Sequence, residues 1–184
     1  IIINLLGQTT SNESDFFTSN ILGALNLLNS CIQKNIKGII LISTINVYGK
    51  NLGISSKETD KLNPTTTYGV VKMITESIYK QFSEKYGINV TVLRFANIYG
   101  PTKKTGFLNT IINSMVDKTI IPICYHDGKQ ERDFLFLNDA IDSIKKAIDY
   151  DHNGFQIFNI SSGNKISINS IVLKIEEITN SKII

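Results

Sequence analysis

The chain has 184 residues, 42% of them hydrophobic, which is enough for one domain or one and a half with a buried core. The formal net charge is only +3 and the basic residues are scattered, so nothing supports binding to nucleic acid or membranes. Two isolated cysteines, Cys31 and Cys124, lack metal or disulfide spacing and fit a reducing compartment. Without an apolar run of transmembrane length or a signal peptide, we expect a soluble cytoplasmic protein that binds no metal.

The first half of the chain alternates predicted strands and helices. Residues 1–6 form an apolar run typical of a buried strand, and residues 15–33 have the spacing of an amphipathic helix. Residues 38–42 predict a central parallel strand, 68–86 a helix and 88–94 a further strand. This order predicts right-handed parallel crossovers and a doubly wound sheet, in which ligands collect at the carboxyl ends of the strands.

The predicted elements of the second half are shorter on average than those of the first. Helices are predicted at residues 106–116, 138–148 and 168–178, and extended segments at 120–124, 132–136 and 155–160, with a turn at 126–128. These elements predict a smaller α/β lobe. We therefore divide the chain into residues 1–101, half of a doubly wound domain, and residues 102–184, the lobe.

Tyr68 and Lys72 are the most informative residue pair in the sequence. Two residues four apart on a helix lie on the same face, one turn from each other. A capping run at residues 63–67 precedes Tyr68, and Val71, Ile74, Ile78 and Phe82 continue at helical spacing. An ammonium beside a phenol favours the phenolate, so we expect Lys72 to lower the pKa of Tyr68 and make it a proton-transfer group.

Arginine occurs at two positions only, Arg94 and Arg132, in a chain that otherwise uses lysine. Planar, bidentate recognition of phosphate or carboxylate is a task that lysine performs poorly. Arg132 is therefore a candidate ligand-binding residue, and the alternative is a surface arginine without such a role.

Seven short segments in this order resemble the extended short-chain dehydrogenase/reductases, in particular the NAD-dependent epimerase/dehydratase group that acts on nucleotide sugars. Each segment alone is a weak signal, and their order and spacing carry the resemblance. They are residues 4–8, 20–23, 43–49, the Tyr68 and Lys72 pair, 93–101, 128–134 and 158–163. The resemblance implies an α/β fold, namely the C-terminal half of a Rossmann-type doubly wound parallel sheet plus a smaller α/β substrate-binding lobe.

The resemblance also implies roles for individual residues. It gives Thr44 as the hydroxyl that orients the substrate, Tyr68 as the acid/base, and Lys72 as the cation that tunes Tyr68 and binds the nicotinamide ribose. The implied contacts to NAD are made by Leu5, Leu6, Gly7, Ser19 and Ala96, besides Tyr68 and Lys72. The implied contacts to a nucleotide-sugar substrate are made by Asn97, Phe107, Leu108 and Arg132, besides Thr44. A homodimer is implied for the whole protein.

Each of these side chains has a simpler interpretation. Thr44 could cap the end of a strand, and Asn97 could be a turn residue before Tyr99-Gly-Pro. Lys72 could be a solvated lysine on the outside of its helix. We assign Asn20 and Gly23 to packing.

Two features of the family pattern are absent from the sequence. The missing features are the glycine-rich phosphate loop and the acidic residue that binds the adenosine ribose. Both belong to strands that would precede Ile1. The expectation is therefore that the chain is an internal fragment of a longer enzyme and binds the cofactor poorly on its own. Asn4 and Leu6 also replace the histidine and alanine most often found at those positions in the family.

The residues that follow Thr44 bear on the reaction. Dehydratases of the family carry an acidic pair there, whereas this chain has Ile45 and Asn46, which cannot transfer protons. Decarboxylation that relies on an acidic residue at this place is disfavoured for the same reason. Epimerisation at C4 through a transient 4-keto sugar is favoured. The alternatives are a reductase or dehydrogenase of a nucleotide-linked sugar and, from another class, a non-catalytic nucleotide-sensing protein of the same fold.

Overall fold

The computed structural model describes residues 1–7, 16–49, 55–101, 106–117 and 127–180. It divides into two compact units. The first contains residues 1–95 and 141–160, and the second contains residues 96–140 and 161–184. The first unit therefore ends near the predicted boundary at residue 101. Residues 141–160 also belong to the first unit, whereas the predicted division into 1–101 and 102–184 assigns them to the lobe.

Seven strands and five α-helices are described. The strands are β1 (Ile2–Asn4), β2 (Gly38–Thr44), β3 (Asn89–Phe95), β4 (Asn97–Tyr99), β5 (Glu131–Phe136), β6 (Phe155–Ile160) and β7 (Lys165–Ser167). The α-helices are α1 (Gly23–Gln33), α2 (Thr67–Tyr86), α3 (Phe107–Asp117), α4 (Leu137–Asp149) and α5 (Ile168–Thr179). A π-helical turn, Thr18–Leu22, leads into α1, and a short 3-10 helix, Ile45–Tyr48, follows β2.

The first unit is built on a four-stranded parallel sheet in the order β1-β2-β3-β6. The α/β prediction with a parallel sheet is confirmed. Helices α1 and α2 contribute Ala24, Leu28 and Tyr79 to a core shared with Leu41 and Val92 of the central strands. Every strand therefore ends on the same side of the sheet, which places the residues after β1, β2 and β3 at one edge.

Helix α2 has well-defined ends. The Thr66 hydroxyl accepts a hydrogen bond from the Gly69 amide at 3.1 Å, which satisfies a free N–H of the first turn. At the other end, Gly87 adopts φ 66°, a left-handed conformation that closes the helix and that glycine adopts without steric cost.

Within the predicted apolar stripe of α2, Val71 is fully buried, and Ile78 and Phe82 pack against the core cluster. Ile74, Ile78 and Phe82 are only partly buried. The fully buried face also contains polar side chains, namely Lys72, Thr75, Glu76 and Ser83, beside Val71 and Tyr79. The periodicity located the helix and residues that pack against the core, but it did not show that polar side chains are buried on the same helix.

The second unit contains a small mixed sheet. Strand β5 pairs with β4 in parallel and with β7 in antiparallel orientation. Strands β4 and β7 were not predicted, because each has three residues and is too short to show alternation. The predicted extended segment at 120–124, together with Cys124 and His126, lies outside the described residues.

Two further properties concern the described residues only. None of their helices is long and apolar enough to cross a membrane. Their histidine, cysteine and acidic side chains form no cluster of three or more that could hold a metal ion.

Candidate active site

Lys72 lies at the carboxyl ends of the first two strands of the parallel sheet. Its Nζ donates hydrogen bonds to the Leu6 carbonyl at 2.8 Å and to the Ile42 carbonyl at 3.1 Å. Only 3% of the residue is exposed. The simpler interpretation of Lys72 as a solvated surface lysine is therefore wrong. An ammonium has three protons, so two carbonyl partners leave one proton for a further acceptor.

Burial controls the protonation of Lys72. Loss of solvation lowers its pKa to about 8, and the negative charge of Glu76, one turn further along α2, opposes that decrease. A group with this pKa is mostly charged at neutral pH and loses its proton on mild alkalinisation.

Tyr68 is the second residue of α2 and lies one turn before Lys72. The residue is half-buried, and its ring lies 6.2 Å from the ring of Phe16, centroid to centroid. Burial raises the pKa of the Tyr68 phenol. The expectation that Lys72 lowers this pKa is therefore not met, because burial disfavours the charged phenolate and Lys72 directs its ammonium at two backbone carbonyls.

Thr44 ends β2 and is buried. Its Oγ1 accepts a hydrogen bond from the Asn46 amide at 3.3 Å, so the side chain caps the short 3-10 helix that follows β2, and its role toward a substrate stays a prediction. The carbonyl of Asn46 in turn packs against the first turn of α2, where a Cβ on Gly69 would lie 2.6 Å from that oxygen. The segment that follows Thr44 and the segment that carries Tyr68 are thus in direct contact.

The turn after β1 completes this edge of the sheet. The buried Asn4 holds it, since its Oδ1 accepts a hydrogen bond from the Leu6 amide at 2.9 Å and its Nδ2 donates to the Tyr79 hydroxyl at 2.6 Å. Leu5 and Leu6 are exposed. A Cβ on Gly7 would lie 3.1 Å from Lys72 Nζ, so a glycine at this position leaves room for the ammonium.

Two predicted cofactor contacts, Ser19 and Ala96, belong neither to the turn after β1 nor to α2. Ser19 is exposed within the π-helical turn before α1. Ala96 is buried directly after β3, at the start of the second unit. Their roles stay predictions.

The predicted substrate contacts belong to the second unit. Asn97 begins β4, and its Nδ2 donates to the Asp133 carbonyl at 3.0 Å, so it is a strand residue and not a turn residue. Arg132 is exposed on β5. Phe107 and Leu108 start α3, and Leu108 is half-buried. The structure brings Asn97 into contact with the strand that carries Arg132, and the ligand-binding roles of all four stay predictions.

A buried polar network beside Lys72 was not predicted from the sequence. Arg94 of β3 forms a two-pronged ion pair with Glu76 of α2, with its Nη2 2.7 Å from Oε2 and its Nε 3.1 Å from Oε1. Ser43 donates its hydroxyl hydrogen to the same carboxylate. The Arg94 guanidinium also donates to the Tyr48 hydroxyl at 2.6 Å, and that hydroxyl donates to Asn159 of β6 at 2.8 Å. Ser43, Arg94 and Asn159 are neighbours in the register of three adjacent strands.

One signal in the sequence could have located this network. Glu76 follows Lys72 by four residues and therefore shares its helix face. Once Lys72 is placed against the sheet, a carboxylate on that face requires a buried cation, and Arg94 is the arginine of the neighbouring strand. The ion pair between Glu76 and Arg94 forms only if the face of α2 that carries Glu76 packs against the sheet. The spacing of the apolar residues did not show that this polar face is buried.

Comparison with known proteins gives a family match over most of the chain. Residues 2–161 match the family described as NAD dependent epimerase/dehydratase family. A putative UDP-glucose 4-epimerase of Methanocaldococcus jannaschii is 31% identical over 157 residues, which are 83% of this chain and 50% of the relative. A UDP-N-acetyl-alpha-D-glucosaminuronate decarboxylase of Bacillus cytotoxicus is also 31% identical, over 96% of this chain and 57% of the relative.

Among solved structures, the UDP-glucuronic acid 4-epimerase of Bacillus cereus in complex with UDP-glucuronic acid and NAD superposes with a TM-score of 0.86. It is 26% identical, and the match covers 97% of this chain and 57% of that one. The chain thus spans about half the length of the curated relatives it matches.

Proposed function

Since the chain belongs to the NAD-dependent epimerase/dehydratase family, we propose that the whole protein is an NAD-dependent nucleotide-sugar 4-epimerase. The observation that carries this proposal is the position of Lys72 at the ends of β1 and β2, one helical turn after Tyr68. A half-buried phenol beside a buried cation is suited to moving a proton on or off an alcohol.

The residues at this edge of the sheet fit a nicotinamide ribose. Leu5, Leu6 and Gly7 would line it, and the remaining proton of Lys72 would bind a ribose hydroxyl. The Gly7 position supports this fit, because a side chain there would lie against the Lys72 ammonium. The chemistry that NAD supplies when bound is reversible acceptance of a hydride.

Tyr68 would handle the proton. Burial raises the pKa of its phenol, so the group is protonated at neutral pH and can donate a hydrogen bond to the oxygen at C4 of the sugar. To accept the C4 hydroxyl proton as that oxygen becomes a carbonyl, Tyr68 would first have to lose its own proton. The phenolate, stabilised by the Lys72 charge, would then take the substrate proton and give it back when the alcohol re-forms. Thr44 would hold the sugar oxygen through its hydroxyl.

The choice of 4-epimerisation rests on the segment after Thr44. Ile45 and Asn46 form the start of the 3-10 helix, and neither side chain can act as the acid or base that elimination of water requires. The curated relatives include a decarboxylase and a dehydratase as well as epimerases, so this step of the proposal needs a direct test.

The first test is the substitution Tyr68→Phe in the whole protein. We expect loss of turnover with NAD affinity nearly unchanged, because the phenylalanine keeps the ring and removes only the transferable proton. Tyr86→Phe is the matched control, since Tyr86 lies on the same helix and is 44% exposed. Turnover by Tyr68→Phe within about tenfold of the unsubstituted protein would refute the acid/base role.

The second test separates the reactions. The whole protein is incubated with NAD and a panel of nucleotide sugars, and the products are resolved by chromatography. Interconversion of C4 epimers without net change in NAD supports the epimerase, whereas stoichiometric conversion between NAD and NADH supports a reductase or dehydrogenase. Binding without conversion would favour the nucleotide-sensing alternative. The homodimer and the cytoplasmic location stay predictions.

A further inference from the structure

The short 3-10 helix Ile45–Tyr48 contacts the segments that carry both candidate catalytic hydroxyls. Thr44 precedes it and accepts a hydrogen bond from the Asn46 amide at 3.3 Å. The Asn46 carbonyl packs against Gly69, the residue after Tyr68, where an added Cβ would lie 2.6 Å from the oxygen. A helix of four residues has too few internal hydrogen bonds to be stable alone, so contacts from outside decide its position.

The hydroxyl of Tyr48 anchors the last residue of this helix. It accepts a hydrogen bond from Arg94 Nη1 at 2.6 Å and donates one to Asn159 Oδ1 at 2.8 Å. Arg94 is fixed in turn by its ion pair with Glu76. The Asn159 side chain also donates to the Ser56 carbonyl at 3.0 Å. Only 3% of Tyr48 is exposed, and its hydroxyl connects the 3-10 helix to β3 and β6 of the parallel sheet.

The chain that leads into α2 packs on the same 3-10 helix. The Asn63 amide donates a hydrogen bond to the Val47 carbonyl at 3.1 Å. Gly49, directly after the helix, adopts φ 76°, and an added Cβ there would overlap the Asn63 carbonyl. The 3-10 helix is therefore in contact with the segment before Tyr68 as well as with Gly69 after it.

We propose that Tyr48 is a positioning residue for Thr44 and Tyr68. Its hydroxyl, anchored to β3 and β6, holds the 3-10 helix on which the relative position of the two catalytic groups depends. In its consequence for turnover, this inference rests on the proposed function. The substitution Tyr48→Phe is a sharp probe, because it removes one oxygen and keeps the ring, whose centre lies 4.9 Å from the guanidinium carbon of Arg94.

A structural role alone makes a different prediction. Loss of the hydroxyl leaves a buried N–H of Arg94 without its acceptor, so Tyr48→Phe lowers the stability of the fold in either case. If stability were the only effect, the molecules that stay folded would turn over substrate at the unchanged rate. If the hydroxyl also positions the two catalytic groups, kcat falls in folded protein, because a misplacement of about 1 Å can cost about 100-fold in rate.

The first measurement is the steady-state kinetics of the whole protein with the nucleotide sugar that the product panel identifies as substrate, well below the unfolding temperature of each variant. We expect Tyr48→Phe to lower kcat about 10- to 100-fold and to change KM less than about threefold, since the buried hydroxyl is directed at Arg94 and Asn159. Tyr150→Phe is the matched control, because Tyr150 is 47% exposed and its ring stacks on Phe158 of β6. An unchanged kcat in folded Tyr48→Phe would overturn the proposal.

Amide hydrogen exchange, followed by NMR, supplies a readout that needs no turnover. The amides of Asn46, Gly49 and Asn63 report on the 3-10 helix, since each donates to that helix or to the Thr44 hydroxyl that caps it. We expect their exchange to become about tenfold faster in Tyr48→Phe and to stay unchanged in the control, because the helix loses its anchor to β3 and β6.

Val90 distinguishes local loosening from a loss of global stability. Its amide donates to the Gly154 carbonyl at 2.8 Å, and the residue is fully buried in β3, so we expect it to exchange through global unfolding. Faster exchange at Val90 alone would mean that Tyr48 has a purely structural role, and it would contradict the proposal.

A second variant covers the case in which Tyr48→Phe does not fold, as judged by far-UV circular dichroism. Asn159→Ala removes the acceptor of the Tyr48 hydroxyl and leaves the ion pair of Arg94 in place. A fall in kcat together with faster exchange at the three amides supports the proposal, and normal values of both overturn it. If the unsubstituted protein converts no nucleotide sugar, the proposed function fails, but the exchange data still decide whether Tyr48 holds the 3-10 helix between Thr44 and Tyr68.

Discussion

Burial of Lys72 predicts a specific dependence of stability on pH. The pKa of Lys72 is about 8 in the folded chain, against 10.5 for an ordinary lysine. Between these values the unfolded chain binds more protons than the folded chain. The free energy of unfolding should therefore rise with pH over this window, and the cost of burying the ammonium is fully present below pH 8. Integration of the linkage relation from pH 7 to pH 10 gives a gain of at most about 2.5 kcal/mol from this residue.

The test compares the unsubstituted chain with Lys72→Met. Tyr68 and Tyr79 act in the opposite direction, because burial raises the pKa of both phenols and so lowers stability above pH 10. Both contributions are small between pH 7 and pH 10, because the tyrosines of the unfolded chain lose their protons only near pH 10.

Urea unfolding of both proteins at pH 7 and at pH 10 gives the difference between their unfolding free energies at each pH. We expect the stability of Lys72→Met relative to the unsubstituted chain to fall by about 1–2.5 kcal/mol between these pH values, whatever the cost of the two lost hydrogen bonds. Lys80→Met, at an exposed position on the same helix, should show almost no such change. An equal difference at both pH values would refute the assignment of a lowered pKa to Lys72.

Two further predictions concern other parts of the chain. Gly69→Ala should destabilise the fold by about 1–3 kcal/mol in thermal or urea unfolding although alanine favours helices, because the added Cβ would lie 2.6 Å from the Asn46 carbonyl oxygen. An equally stable variant would show that the contact between α2 and the 3-10 helix is looser than described, and Ser77→Ala on the exposed side is the control. Arg132→Ala should weaken binding of a nucleotide sugar by about 1.5–3 kcal/mol in calorimetry, the range for a hydrogen bond to a charged group. Lys129→Ala, which removes an exposed cation paired with Asp127, should bind normally, and an unchanged dissociation constant for Arg132→Ala would rule out its role.

The sequence alone was sufficient to predict the α/β class and most of the elements. Apolar runs and helical spacing place β2, α2, β3 and β6 within a few residues of their observed bounds, because long buried segments require those patterns. The pair of Tyr68 and Lys72 could be recognised because residues four apart on a helix are neighbours in any fold. The strands β4 and β7 could not be found in this way, since three residues carry no period.

The protonation of the candidate site was decided by the tertiary structure. The sequence placed a lysine near a phenol and suggested an acidified tyrosine, but Lys72 is directed at the carbonyls of Leu6 and Ile42, and burial raises the pKa of Tyr68. The partners of Glu76 come from strands that precede and follow it in the chain, so no local pattern could reveal them. Desolvation depends on everything that surrounds a side chain, and that is a property of the packed fold and not of the residue's neighbours in sequence.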